Sequence, residues 1–201
     1  MHNKADISAI FCANDTTALG VIHALKEKNF RIPEDISVIS VDDIETAQYL
    51  SPISDVKQQG GELNVKKELY VEHIAADGKK SLRPITDVAQ LSVGDKVVSR
   101  LTISLDRAMD FIQLKDQRGA CFEPVGALSG YRWNNGFGYY VEVEDAATNF
   151  FFDHLGKGVY VLEHSYRIAR GGTYETGLAT IQCAYAPEYA SHSTGGTVVI
   201  K

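Results

Sequence analysis

Three of the six histidines, His154, His164 and His192, together with the acidic residues Asp153 and Glu163, are the raw material of a metal site. Metal-binding helices of the H-E-x-x-H type have no counterpart here, and His154 and His164 lie far apart across a turn between strand-like runs, so nothing forces their rings together. Two carboxylate pairs invite a glycosidase reading: Asp106 with Asp110, and Glu142 with Glu144. Period-two geometry puts Glu142 and Glu144 on one strand face, but with Asp145 beside them they read as a solvated outer face. No G-x-S-x-G motif accompanies the serines of "LSGY" or "SHS". The paired glycines punctuate strands and do not open a helix, so no phosphate cradle follows. The expectation is a non-catalytic chain with no metal and no cofactor.

The cysteines are Cys12, Cys121 and Cys183, with no C-x-x-C pair to build a zinc ribbon or thioredoxin-type site. Two readings stand: Cys121 and Cys183 form one disulfide in an oxidising compartment with Cys12 left over, or all three are small buried hydrophobes.

Composition narrows the class further. The chain has 201 residues, 44% hydrophobic and 23% charged, within the range of globular proteins. Its net charge is −6, with five Lys and Arg against nine Asp and Glu in residues 1–60 and fifteen against seventeen beyond. No basic patch offers itself to nucleic-acid phosphates. No run approaches the roughly 20 apolar residues of a membrane span. The opening "MHNKADISAIFC" has no cleavage-site pattern, so as written the chain is expected to stay in the cytoplasm.

Two textures follow one another along the chain. In the first, "ISAIFC" (7–12) is a short β-type run, and Ala18, Leu19, Ile22 and Leu25 form one apolar stripe of a helix. Asn14, Asp15, Thr16 and Thr17 offer oxygen acceptors where that helix begins. The helix is expected to stop near Lys28 and Asn29, before the turn carrying Pro33. "ISVISVDD" (36–43) reads as a second strand, completing a right-handed parallel β-α-β crossover.

Those residues carry a resemblance. "AIFCANDTTALGVIHALKEKNFRIPEDISVISVDDIETAQYLSP" resembles part of the effector-binding domain of LacI-type transcription regulators, which share the periplasmic-binding-protein fold. The resemblance implies that Asn14 and Asp42 point into a ligand cleft and bind a sugar or purine effector. Both follow the carboxyl ends of parallel strands, where open α/β sheets bind ligands. The helix-turn-helix and the other lobe of that family have no counterpart in the chain, so DNA binding is not expected.

From Leu63 the pattern alternates with period two. Runs at 63–73, 95–106, 109–116, 138–146, 148–155, 158–170, 173–186 and 195–201 are punctuated by "DGKK", "SVGD", "GKG", "RGG" and "STGG". About eight short strands with regular turns predict an antiparallel β-sandwich. "YRWNNGFGYY" (131–140) predicts a tight turn displaying Trp133 and Phe137.

This second segment resembles the final macroglobulin domain of bacterial alpha-2-macroglobulins, through "LKDQRGACFEPV", "GYRWNNGFGYY", "TNFFFDHLGKGVYVLEHSYRIARGGTY" and "IQCAYAPEYASHS". The resemblance implies a non-catalytic interaction module in a large exported protease trap. Its partner would be a thioester domain or a neighbouring macroglobulin domain, with proteases engaged only indirectly. It places Tyr185 at the position of a thioester-facing tyrosine, with Ala184 where the family carries Met. No C-x-E-Q-type thioester turn occurs in the chain. The expected architecture is therefore mixed: an α/β fragment at 1–53, a polar junction at 54–62 and a β-sandwich at 63–201. The parent of the second segment belongs to the periplasm or cell envelope and that of the first to the cytoplasm, so the chain reads as a chimera.

Overall fold

The computed structural model describes residues 7–13, 15–40, 53, 56–87, 90–126, 128–134 and 136–201. The chain divides into two compact units, Met1–Pro52 and Ile53–Lys201. Asn14 and Asp42 lie outside the described residues.

In the first unit, β1 (Ala9–Cys12) runs parallel to β2 (Ser37–Ser40), with helix α1 (Asp15–Glu27) between them in sequence. The helix ends as its sequence predicts. Asn29 takes a left-handed φ of 61°, its amide bonds to the Lys26 carbonyl, and Phe30 reaches back to Leu25 at 3.0 Å. This is the Schellman closure that an Asn past the last turn favours. Arg31 and Asp35 then clip the following turn, with Nη2 to Oδ1 at 2.6 Å. Alternation along β1 buries Cys12 and leaves Phe11 67% exposed; its register partner Ile39 is 54% exposed.

The second unit is built from two antiparallel sheets. Its strands are β3 (Leu63–Ile74), β4 (Lys80–Pro84), β5 (Lys96–Leu105), β6 (Met109–Gln117), β7 (Phe122–Pro124), β8 (Gly130–Asn134), β9 (Phe137–Val143), β10 (Ala147–Leu155), β11 (Gly158–Ile168), β12 (Gly172–Glu175), β13 (Ala179–Cys183), β14 (Ala186–His192) and β15 (Thr197–Ile200). One sheet has the order β14-β13-β6-β10-β9-β8 and the other β4-β3-β5-β11-β7, with β12 and β15 paired apart. Alternation in "LTISL" turns Leu101, Ile103 and Leu105 inward with Leu63 and Val65. They meet Ile112, Leu114, Phe150, Phe152 and Ile181 from the other sheet. A second cluster gathers Val97, Phe122, Tyr166, Ile168 and Val198, where the rings of Phe122 and Tyr166 stack at 5.6 Å.

The strand pattern differs from the sequence expectation in several places. "KSLRP" forms β4 although it lacks alternation, because it is an edge strand with little to bury. The run 173–186 breaks into separate strands at Gly177, whose φ of +73° and close approach to the Gln117 carbonyl admit no Cβ. Phe137 is not displayed by its hairpin: it turns inward against Tyr160 at 5.1 Å, while Trp133 remains outside.

The stretch expected to be a junction is fastened along part of its length. Gln59 and His192 exchange both backbone hydrogen bonds, at 3.1 and 3.0 Å. Val56 accepts a bond from Gly195, and Glu62 one from Asp106. The Gln59 bridge thus fastens this stretch at His192, the last residue of β14, while Val56 and Glu62 are tied to Gly195 and Asp106 outside that strand.

The disulfide between Cys121 and Cys183 is not formed; all three cysteines are free and buried. Geometry explains why. Cys183 is opposite Ile112 in β6, whereas Cys121 lies beyond the far end of that strand, after Gln117. Five residues of strand separate Ile112 from Gln117, on the order of 17 Å, well past the limit of about 7 Å between bridged Cα atoms. Burial pushes the Cys121 thiol up to about 11. A thiol assay on the native chain should therefore report almost no fast-reacting cysteine and detect all three only in denaturant. Recovery of fewer than three after denaturation without reductant would mean that a bridge exists.

Candidate functional site

The β13–β14 hairpin closes over two residues, Ala184 and Tyr185, and leaves the Tyr185 ring 81% exposed. A bulge between Gln182 and Cys183 tilts the hairpin end. Beneath it, β6 carries Phe111 with φ of +53°, a region that a bulky side chain rarely enters. The Phe111 carbonyl accepts the Ala184 amide at 2.8 Å, and the preceding carbonyl, of Asp110, accepts the Cys183 thiol at 3.1 Å. This irregular backbone stands Phe111 up, 52% exposed, so that its ring meets Tyr185 edge to face at 5.2 Å. Holding such a conformation costs about 1–3 kcal/mol, and strain of that kind concentrates at functional positions. Two aromatic rings thus protrude together into solvent.

Apart from one surface pair, the described residues weighed for catalysis do not come together. His154 pairs with Asp110, Nδ1 to Oδ1 at 2.5 Å, on the surface. His192 is buried and its Nδ1 lies 3.2 Å from the Ser193 carbonyl. Glu163 binds Arg100 across the strands at 2.6 Å. Glu142 accepts from Asn149 Nδ2 at 3.3 Å. Among the described residues no group of three or more His, Cys, Asp or Glu is placed to hold a metal ion.

One charged cluster lies inside the sandwich, and sequence reasoning missed it. Asp116 of β6 is fully buried and faces four side chains of the opposite sheet. Lys67 Nζ lies 2.7 Å from Oδ1, while His164 Nε2 at 2.7 Å, Ser99 Oγ at 2.8 Å and the Tyr166 hydroxyl at 3.2 Å surround Oδ2. Lys67 also donates to the carbonyls of Gln117 at 2.5 Å and Thr176 at 3.0 Å. Burial by itself would raise the Asp116 carboxyl, but the Lys67 charge and the His164 hydrogen bond outweigh it and hold the group well below the usual carboxylate range. Burial, then the neighbouring carboxylate, push the Tyr166 hydroxyl well above its ordinary value. Although Ser, His and Asp are all present, Ser99 is bonded to the acid and not to the imidazole, so no activated nucleophile results. The cluster joins the two sheets. Parity was the available signal: Ile112, Leu114 and Asp116 share one face of β6, and Leu63, Val65 and Lys67 one face of β3.

Comparison with known proteins gives two separate family matches along the chain. The family model for the bacterial alpha-2-macroglobulin MG10 domain matches residues 63–188, more than half of the chain. The chain belongs to the bacterial alpha-2-macroglobulin MG10 domain family. Among solved structures, Salmonella alpha-2-macroglobulin reacted with methylamine is similar with a TM-score of 0.56 at 16% identity, over 75% of this chain and 10% of that one. Native Escherichia coli alpha-2-macroglobulin, from domain MG7 to the C-terminus, gives a TM-score of 0.55 at 14% identity, over 75% of this chain and 25% of that one. At such identities the likeness establishes the fold of the MG10 segment. Residues 2–63 match the periplasmic binding protein-like domain. There the similarity is to LacI-type repressors: 62% identity over 45 residues with the HTH-type transcriptional repressor PurR of Vibrio atlanticus, covering 22% of this chain and 14% of that protein. The ribose operon repressor of Haemophilus influenzae is 46% identical over 57 residues, covering 28% of this chain and 17% of that protein. The chain thus spans less than a fifth of the length of either repressor. No helix among the described residues is long and apolar enough to cross a membrane.

Proposed function

We propose that residues 63–201 are a non-catalytic docking module of a larger alpha-2-macroglobulin-like protease trap of the periplasm or cell envelope. The module presents the Phe111–Tyr185 ring pair to a thioester domain or a neighbouring macroglobulin domain. The observation that carries this reading is the protrusion of two rings held together by a strained backbone at Phe111. Exposed aromatic residues on a rigid support are the usual anchors of protein interfaces. Proteases are met through the parent protein and not by this domain.

The test is binding of the full chain to an isolated bacterial macroglobulin thioester domain, followed by calorimetry. Tyr185→Gly is expected to weaken the complex at least about tenfold. Phe111→Gly should weaken it as well while leaving the melting temperature unchanged or higher, because Gly relieves the left-handed strain. No complex at high micromolar concentration, or one indifferent to both substitutions, would overturn the proposal.

The LacI-type similarity favours a second reading for residues 1–53: a sugar- or purine-effector-binding fragment using Asn14 and Asp42. Titration with sugars and purines, against an Asp42→Ala control, decides it; an unaltered response in that control excludes the assignment. We propose 54–62 as the boundary between the two family segments and the chain as a chimera of proteins that share no reaction.

A further inference from the structure

The outer face of the six-stranded sheet holds a second aromatic assembly, away from the hairpin tip. Trp133 lies across Gly138 of the neighbouring strand, so closely that a Cβ there would come within 2.8 Å of the indole. Tyr131 sits edge-on to Tyr140 at 5.3 Å, and Tyr140 leans on Phe151 at 6.4 Å. The indole and the Tyr131 ring are thus seated against the sheet, yet remain 77% and 75% exposed. They border a hollow of about 620 Å³ whose lining also includes Arg132, Asp153 and His154; Arg132, next to each ring along β8, projects from the strand's other face, opposite Tyr139. Arg132 is braced by the carbonyls of Leu128, at 2.8 Å, and Tyr131, at 3.1 Å. His154 is braced by Asp110.

The geometry points to a binding site for a neutral oligosaccharide. A sugar ring offers a flat face of C–H bonds polarised by the neighbouring oxygens, which the electron-rich faces of Trp133 and Tyr131 attract. Its hydroxyls can donate to Asp153, which only accepts when ionised. An apolar protein segment fits less well, because it would bury the Asp153 carboxylate with no donor or counter-charge. The volume lies within the range of about 300–1,000 Å³ usual for small-molecule sites. Rings already seated on the sheet lose little freedom when a ligand stacks on them.

Trp133 is the chain's single tryptophan, so its emission reports this site alone. The full chain is titrated with cellotetraose, maltotetraose and chitotetraose, with calorimetry in parallel. At least one should give a saturable response with Kd between about 10 µM and 1 mM. By calorimetry, Trp133→Ala and Tyr131→Ala should each weaken binding about tenfold or more, while Trp133→Phe keeps most of it. Gly138→Val should weaken it too, although every ring remains, by lifting the indole from its seat. Both alanine variants replace exposed rings and should melt within about 2 °C of the parent. Tyr185→Gly and Asp42→Ala should leave the titration unchanged, which separates this site from the docking tip and from the N-terminal effector reading. The proposal is overturned by the absence of a saturable signal from all three sugars at about 10 mM. It is equally overturned by full binding in Tyr131→Ala, by tighter binding of tetramethylammonium than of any sugar, or by loss of thioester-domain binding in Trp133→Ala.

Discussion

Replacing Asp116 with Asn is expected to destabilise the β-sandwich by about 3–5 kcal/mol, a large part of the roughly 5–15 kcal/mol by which a domain is usually stable. The substitution leaves Lys67 almost fully buried with no counter-charge, and an amide cannot accept from His164, Ser99 and Tyr166 as the carboxylate does. Lys67→Met should cost a comparable amount, since it strips the carboxylate of its main cation and also abandons the carbonyls of Gln117 and Thr176. The double variant Asp116→Asn with Lys67→Met should lose less than the two single effects summed, because neither charge is then left unpaired. Urea unfolding followed by circular dichroism measures each case. A loss below about 1 kcal/mol for Asp116→Asn would mean that water reaches the cluster and screens it.

The same cluster sets an acid limit. The Asp116 carboxyl is lower in the folded chain than its unfolded value of about 3.9. Its contribution is therefore fully present above the unfolded value and is lost as pH falls through the folded one. The melting temperature of the parent should decline below about pH 4 with a slope that Asp116→Asn reduces. Glu72 is shifted in the same direction, by Lys96 at 3.1 Å, so some slope remains in the variant.

Period-two alternation made the sandwich legible, since burial on one face of each strand is what that pattern encodes. Leu101, Ile103 and Leu105 point inward as their spacing requires. Alternation cannot say which strands pair, because the order β14-β13-β6-β10-β9-β8 depends on contacts far apart in sequence. It also misjudged Phe137: the hairpin glycines fixed the turn, but which ring turns inward was decided by the space beside Tyr160. Tyr185 could be placed from sequence only by resemblance; its partner Phe111 was invisible, since a left-handed φ at a bulky residue has no composition signature. The buried Asp116 was readable in principle, as a charge on the inward face of β6. It was passed over because a lone acidic residue beside Lys115 looks like surface.

The last expectation concerns independence. A fragment of residues 53–201 should unfold at the same denaturant midpoint as the full chain, while a fragment of residues 1–52 should show no cooperative melt. Among its described residues the first unit pairs a 13-residue helix with two strands of four residues each. An isolated helix of that length is marginal in water, and so is a two-stranded sheet. Parallel sheets persist where both faces are covered, yet Phe11 and Ile39 stand exposed side by side. A segment of about 50 residues so composed has too little to bury against its own chain entropy. The second unit has two sheets packed on a shared core, and the backbone bonds between Val56 and Gly195 and between Gln59 and His192 tie the residues that lead into it. Limited proteolysis should accordingly yield a resistant piece starting near residue 53 rather than 63, with Lys57 cut slowly by trypsin. A cooperative transition in residues 1–52 alone would show that the crossover carries a core of its own. A lowered midpoint for residues 53–201 would show that the sandwich draws stability from the residues before it.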